Sequence, residues 1–259
     1  AGRVAVNHLW QMLFGQGLVR TTEDFGLQGE RPSHPELLDW LAVDLVKHSW
    51  DLKRTLKFIV MSRTYRQDSA VSAALLAKDP ENRLLARGAR FRLPSWMIRD
   101  AALRSAGLFN PVLGGPPVRP YQPDGVWEEL FMGRFKYEAS EGPAQYRRTL
   151  YAFWRRSIAP TFLFDSAQRR SCEVRTGRTN TPLQALTLQN DATYLESSQA
   201  IAAELLREGG DATRIQSLFR RVLSREANDQ EAALLGRTLM KARGHYRAQP
   251  AAAAQFLRV

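Results

Sequence analysis

The sequence predicts a mainly α fold: a helical, bundle-like domain with a large irregular Pro/Gly/aromatic-rich insertion and at most a few short strands. Two observations carry this. Apolar residues recur at helical spacing over residues 1–107 and 178–259, whereas proline, glycine and aromatic residues crowd the stretch 108–177 between them. The 259 residues therefore read as one domain with helical, irregular and helical parts in that order. The chain opens at Ala1-Gly2 without a leader and enters a helical pattern at once, so it reads as a fragment of a longer protein.

Each element has its own signal. In "VAVNHLWQMLF", Val6, Leu9, Trp10 and Leu13 share one side, and Gly15 and Gly17 end the helix. "SHPE" matches a capping box, with Ser33 as cap and Glu36 returning the bond. Leu37, Leu38, Leu41, Leu45 and Val46 form the apolar stripe of the helix behind it. Asp51 caps the next helix, whose Leu52, Leu56, Ile59 and Val60 point inward. "DPEN" from Asp79 to Asn82 predicts another helix start, with Pro80 at the first helical position. A further helix runs from Ser95 to about Ala106. "NPVLGGPPVRPYQP" has too many prolines for a helix interior, and "TLYAFW" is the one strand candidate beyond it. Thr181-Pro182-Leu183-Gln184 restarts the helices with a capping box. Ile215, Leu218, Phe219, Val222 and Leu223 then keep the helical period, and Asn228 with Glu231 caps the last helix.

Composition excludes several classes. With 44% hydrophobic residues and a mean hydropathy of −0.36, the chain is globular rather than disordered. No apolar run approaches the roughly 18 residues that a membrane span needs. Cys172 is the only cysteine, which rules out an internal disulfide, a cysteine-rich zinc site and a CxxCH haem attachment in this segment. The net charge of +11 and pI near 10.3 attract polyanions, although the arginines are spread along the chain without a basic tail.

The chemical motifs are few. None of His8, His34, His48 and His245 forms HExxH, and GxSxG, Walker A and GxGxxG are all missing, so no metal or nucleotide site is predicted. His34 lies at a loop-to-helix junction near Asp24 and Glu36, a position that suits cap support or acid–base work. Tyr121, Trp127 and Tyr137 are interleaved with arginines, which suits stacking on a sugar or base as well as filling a core. The stretch "RTGRTNTPLQALTLQND" joins Arg175, Arg178, Thr179 and Asn180 to a helix start made by Thr181 and Gln184. Free amides, the helix dipole and two arginines make it an anion-binding candidate. The same arginines could instead pair with Asp165, Glu173 or Asp191 inside the fold.

Five segments also occur in the order of a known family. "VNHLWQMLFGQGLVRTTEDFGLQGERPSHPELLDWLA", "SRTYRQDS", "DPENRLLAR", "FDSAQRRSCEVRTGRTNTPLQALTLQND" and "LFRRVLSREANDQE" resemble the planctomycete-type family of domains of unknown function numbered 1553. The resemblance implies the C-terminal domain of a large exported, extracytoplasmic protein. It implies an upstream domain of the same chain as partner, often a cytochrome-c-like haem domain further upstream, and polysaccharide or redox-linked work. It supplies no catalytic residue, and the chain stops at "AAAAQFLRV", before the family's usual closing helix.

The leading expectation is an accessory module that binds an acidic or sulfated polysaccharide and holds no cofactor of its own. Arg175, Arg178, Thr179, Asn180, Thr181 and Gln184 would grip the anion, with Tyr121, Trp127 or Tyr137 stacking. The alternative is part of a hydrolase or lyase site shared with the upstream domain, with Asp165, Glu173, Asp191 and His34 as acid–base candidates. Nucleic-acid binding follows from charge alone. No helix-turn-helix, RNP or zinc-finger motif supports it, and an exported setting argues against it.

Overall fold

The protein is described by a computed structural model covering residues 1–155, 158–167, 174 and 177–257. Among the described residues the regular structure is helical. It consists of α1 (Gly2–Phe14), α2 (Pro35–Lys47), α3 (Leu52–Val60), α4 (Ala73–Lys78), α5 (Ser95–Ser105), α6 (Val126–Leu130), α7 (Pro182–Asn190), α8 (Ala192–Leu205), α9 (Asp211–Leu223), α10 (Asp229–Ala248) and α11 (Pro250–Phe256). These residues fall into two compact units. One takes residues 1–92 with Val174, and the other takes 93–167 and 177–257.

The first unit is built on the apolar stripes of α1, α2 and α3. Val6, Trp10 and Phe14 of α1 pack with Leu38, Leu41 and Leu45 of α2 and Ile59 of α3. The core extends into the loop after α1 through Leu18 and Val19. A polar clamp sets that loop. Buried Asn7 donates from Nδ2 to the Val19 carbonyl (3.0 Å) and accepts the Val19 N–H at Oδ1 (2.9 Å). Gly15 closes α1 in the left-handed region at φ 80°, a conformation without penalty only for glycine. Asp51 caps α3 by accepting the Arg54 N–H.

Several local expectations change here. The Ser33–Glu36 box does not form, because α2 starts at Pro35 and His34 is its N-cap without a side-chain cap bond. Proline suits the first helical position and pushes the residue before it out of the helical region, so the start moves one residue on. Asp79 to Asn82 makes a turn rather than a helix: Asp79 accepts the Arg83 and Leu84 amides, but Asn82 and Leu85 take positive φ and halt propagation. Burial raises the Asp79 pKa, and the bonds from Leu84 and Arg83 outweigh it, leaving the carboxyl below its ordinary value. Val46 and Leu52, expected inside, are about half exposed.

In the second unit α5 is central and packs on α8, α9 and the 3₁₀ segment Thr161–Ala167. Phe162, Leu163, Ala152 and Tyr194 form its main core. The expected strand "TLYAFW" is absent. Thr149–Tyr151 is a 3₁₀ turn, and only isolated bridges, Val118 with Ala152 and Asn110 with Arg147, tie the region together. A proline-rich partner segment has too few N–H groups to extend a ladder. Arginines supply the missing donors. Buried Arg147 donates to the carbonyls of Val112, Gly114 and Pro116, with its guanidinium 4.0 Å above the Tyr151 ring. Buried Arg99 donates to the carbonyls of Arg147 and Gln145 and to Thr149 Oγ1. Burial lowers the Arg99 pKa, opposed by the charges of Asp100, Tyr194, Asp191 and Glu196. Farther along, Ile215 and Phe219 of α9 pack with Ala227 under α10, whose Asn228–Glu231 capping box forms as expected.

Candidate functional site

Thr181 caps α7 as its residue type predicts, accepting the Gln184 N–H at 3.3 Å. The reciprocal half of the box is missing because the Gln184 side chain turns elsewhere. Its Nε2 donates to Thr179 Oγ1 (2.8 Å) and to Asp165 Oδ2 (3.4 Å). Thr179 in turn donates its N–H to Asp165 Oδ2 (2.7 Å) and its hydroxyl to the same carboxylate. Three donors that a bound anion would use at this helix start thus converge on a carboxylate of the chain itself. Asp165 reaches them from the 3₁₀ segment, where Phe164 takes the unusual φ 43°, ψ −125°. Arg178 is half-buried and Asn180 exposed beside this group, while Arg175 lies outside the described residues.

Asp165 and Asp191, the acid–base candidates described in the second unit, each accept hydrogen bonds from neighbouring segments. Asp191 caps α8, accepting the Thr193 N–H (2.9 Å) and the Thr161 hydroxyl. Asp165 is held as described above. His34 belongs to the first unit, with Nδ1 3.0 Å from Ser33 Oγ. Glu173 lies outside the described residues. A further titratable pair is Tyr146 with Glu196. The hydroxyl donates to the carboxylate, and that bond with burial and the nearby charge pushes the tyrosine up to about 12. Among the described residues no group of three or more His, Cys, Asp or Glu side chains could hold a metal ion.

Of the three candidate stacking residues, only Tyr121 is exposed, at 45%. Trp127 is 0% exposed and forms the centre of an aromatic cluster with Phe131, Phe135, Tyr137 and Phe153, its Nε1 donating to Gln122. Tyr137 donates its hydroxyl to the Pro120 carbonyl at 2.5 Å. Burial, only partly offset by Gln122 and Arg119, raises its pKa to about 12. Trp127 and Tyr137 therefore build the interior of the irregular segment, and Arg119 and Arg155 cover the cluster by lying over Phe153 and Phe131.

The first unit carries a surface that the sequence reading passed over. Trp40 of α2 and Phe58 of α3 are 51% and 45% exposed, with ring centroids 5.1 Å apart and planes tilted by 35°. Trp40, Val43 and Lys47 lie at i, i+3 and i+7 on the outward side of α2. Lys53 and Lys57 lie at i and i+4 on the outward side of α3. Arg54 bridges the two helices to Asp44, and that bond holds the Asp44 carboxyl below its ordinary range against a partial burial effect. Arg3 pairs with Asp39 in the same way at 2.5 Å. The sequence signal that could have found it is the spacing of Trp40, Val43 and Lys47 on the side of α2 away from its Leu38–Leu41–Leu45 stripe.

Among the described residues no helix is long and apolar enough to cross a membrane. The family model described as PSD1, a protein of unknown function (DUF1553), matches residues 1–239. No curated protein and no solved structure matches the chain. The chain belongs to the DUF1553 family.

Proposed function

From membership of that family, we propose that the chain is a non-catalytic accessory module that binds an acidic or sulfated polysaccharide for a larger extracytoplasmic protein. One observation carries the reading: the carboxylates of the first unit are engaged while many cations are not. Asp39, Asp44, Glu30 and Glu81 pair with arginines, and Asp24, Asp51, Asp68 and Asp79 accept backbone amides. Among the described residues only Glu23 and Glu36 of this unit lack such a partner. Lys47, Lys53, Lys57, Arg63, Arg66 and Arg90 are exposed and have no acid partner among the described residues. An unneutralised basic surface draws polyanions through the summed field and loses that pull as salt rises.

Asp165 accepts from Thr179 and Gln184 and Asp191 caps α8, contacts that favour binding over hydrolysis at these two carboxylates. The test is calorimetric titration of the full chain with a sulfated, a carboxylated and a neutral glycan at physiological ionic strength. Binding of the charged glycans alone, weakened by added salt, is expected. Equal indifference to all three overturns the reading, and preferential binding of duplex DNA would replace it with the nucleic-acid one.

A further inference from the structure

Exposed charge explains attraction to a polyanion but not recognition of sugar rings. The α2–α3 surface offers both kinds of contact at one place. Trp40 and Phe58 pack on each other and stay about half exposed, and sugar C–H groups pack on aromatic rings as other apolar groups do. Lys47 stands two turns along α2 from Trp40, and Lys57 precedes Phe58 in the chain. The carboxylate nearest the seam, Asp44, is neutralised by Arg54, so it does not repel an anion there. Glu36, one turn before Trp40, is the exposed acid at the edge. Val43, Val46, Trp50, Leu52 and Met61 are also exposed on these helices and at their ends, with Lys47, Lys53 and Lys57 interspersed, which makes anionic vesicles a necessary comparison ligand.

We propose that the Trp40–Phe58 pair is a sugar-stacking platform, with Lys47, Lys53 and Lys57 binding the sulfate or carboxylate groups of the same glycan. The inference rests on the polysaccharide reading above and narrows it to one surface and one ligand chemistry, an anionic glycan with exposed ring faces.

The experiment titrates heparin oligosaccharide and its desulfated form into the full chain and into two variants, Trp40→Ala/Phe58→Ala and Lys53→Ala/Lys57→Ala. Circular dichroism checks that each is folded, and the single substitutions replace the aromatic double variant if it is not. Loss of the ring pair is expected to weaken heparin binding by about tenfold or more. Loss of the lysines is expected to flatten its salt dependence, while Lys78→Ala, a cation on α4, changes neither. If wild type binds heparin and the aromatic variants bind it equally well, the platform is wrong and the polyanion reading stands. If wild type binds no anionic glycan, both fall. Binding of anionic vesicles without heparin binding assigns the surface to lipid and overturns the proposal.

Discussion

Asn7→Ala breaks the clamp that joins α1 to its following loop, and its cost follows from two bonds. Val19 is 2% exposed and Asn7 is 0% exposed, so water cannot replace the lost partner. The substitution strands the Val19 N–H and C=O, each costing about 1–3 kcal/mol when buried and unsatisfied, or about 2–6 kcal/mol together. With a urea dependence of about 2 kcal/mol per molar, the midpoint for the first unit falls by about 1–3 M. Gly17 provides an internal check, because a Cβ there would lie 2.5 Å from the Val19 oxygen and 2.6 Å from Asn7 Nδ2. Gly17→Ala thus attacks the same clamp from outside, and the double variant should cost less than the sum of the two. Urea unfolding by circular dichroism measures the cost, and amide exchange at Val19 localises it. A Val19 amide as protected in Asn7→Ala as in wild type, with an unmoved midpoint, would refute the argument.

Three further outcomes are expected. Gly15→Ala forces alanine into a left-handed conformation costing about 1–2 kcal/mol and sets its Cβ 2.8 Å from the Phe91 ring, so the melting temperature falls; an unchanged melt would show that the C-cap is not strained. Arg99→Met leaves the Gln145 and Arg147 carbonyls and the Thr149 hydroxyl without their donor, destabilising the second unit by roughly 3 kcal/mol or more, read by thermal melting; wild-type stability would mean these acceptors find other donors. Glu231 is held down to about 2 by the Arg225 bond and the Asn228 N–H. Its contribution is complete above its ordinary value of 4.5 and fades as pH falls towards 2, so Glu231→Gln should lose most stability relative to wild type above 4.5, by a margin that shrinks as pH falls towards 2. Melting curves of the two proteins that stay parallel across the window would contradict this.

α1, α2, α3 and α9 were legible because each carries an apolar stripe, and α3, α7 and α10 because each starts at a recognisable cap. Thr181, Asp51 and Asn228 do what their residue types dictate. Legibility failed where a choice depends on something distant in sequence. The partner of Gln184 is Asp165, nineteen residues earlier, and no local rule pairs them. Asn7 on the buried side of α1 has no periodic meaning until the loop twelve residues on folds back against it. Periodicity also says which residues are apolar, but not how much core exists to cover them. That is why Val46 and Leu52, expected inside, emerged about half exposed. "TLYAFW" alternates like a strand, yet a strand needs a partner with free N–H groups. The proline-rich segment beside it provides few.

Arg147 has a dynamic consequence. A single guanidinium holds the carbonyls of Val112, Gly114 and Pro116, and Tyr151, the ring beneath it, accepts the Gly114 N–H. Anchors gathered on one side chain cannot let go one at a time. The segment from Asn110 to Val118 should therefore open as a single cooperative step, with common exchange kinetics along its length, instead of fraying from its exposed tip at Leu113. One residue outside the loop then sets how often the whole loop is open.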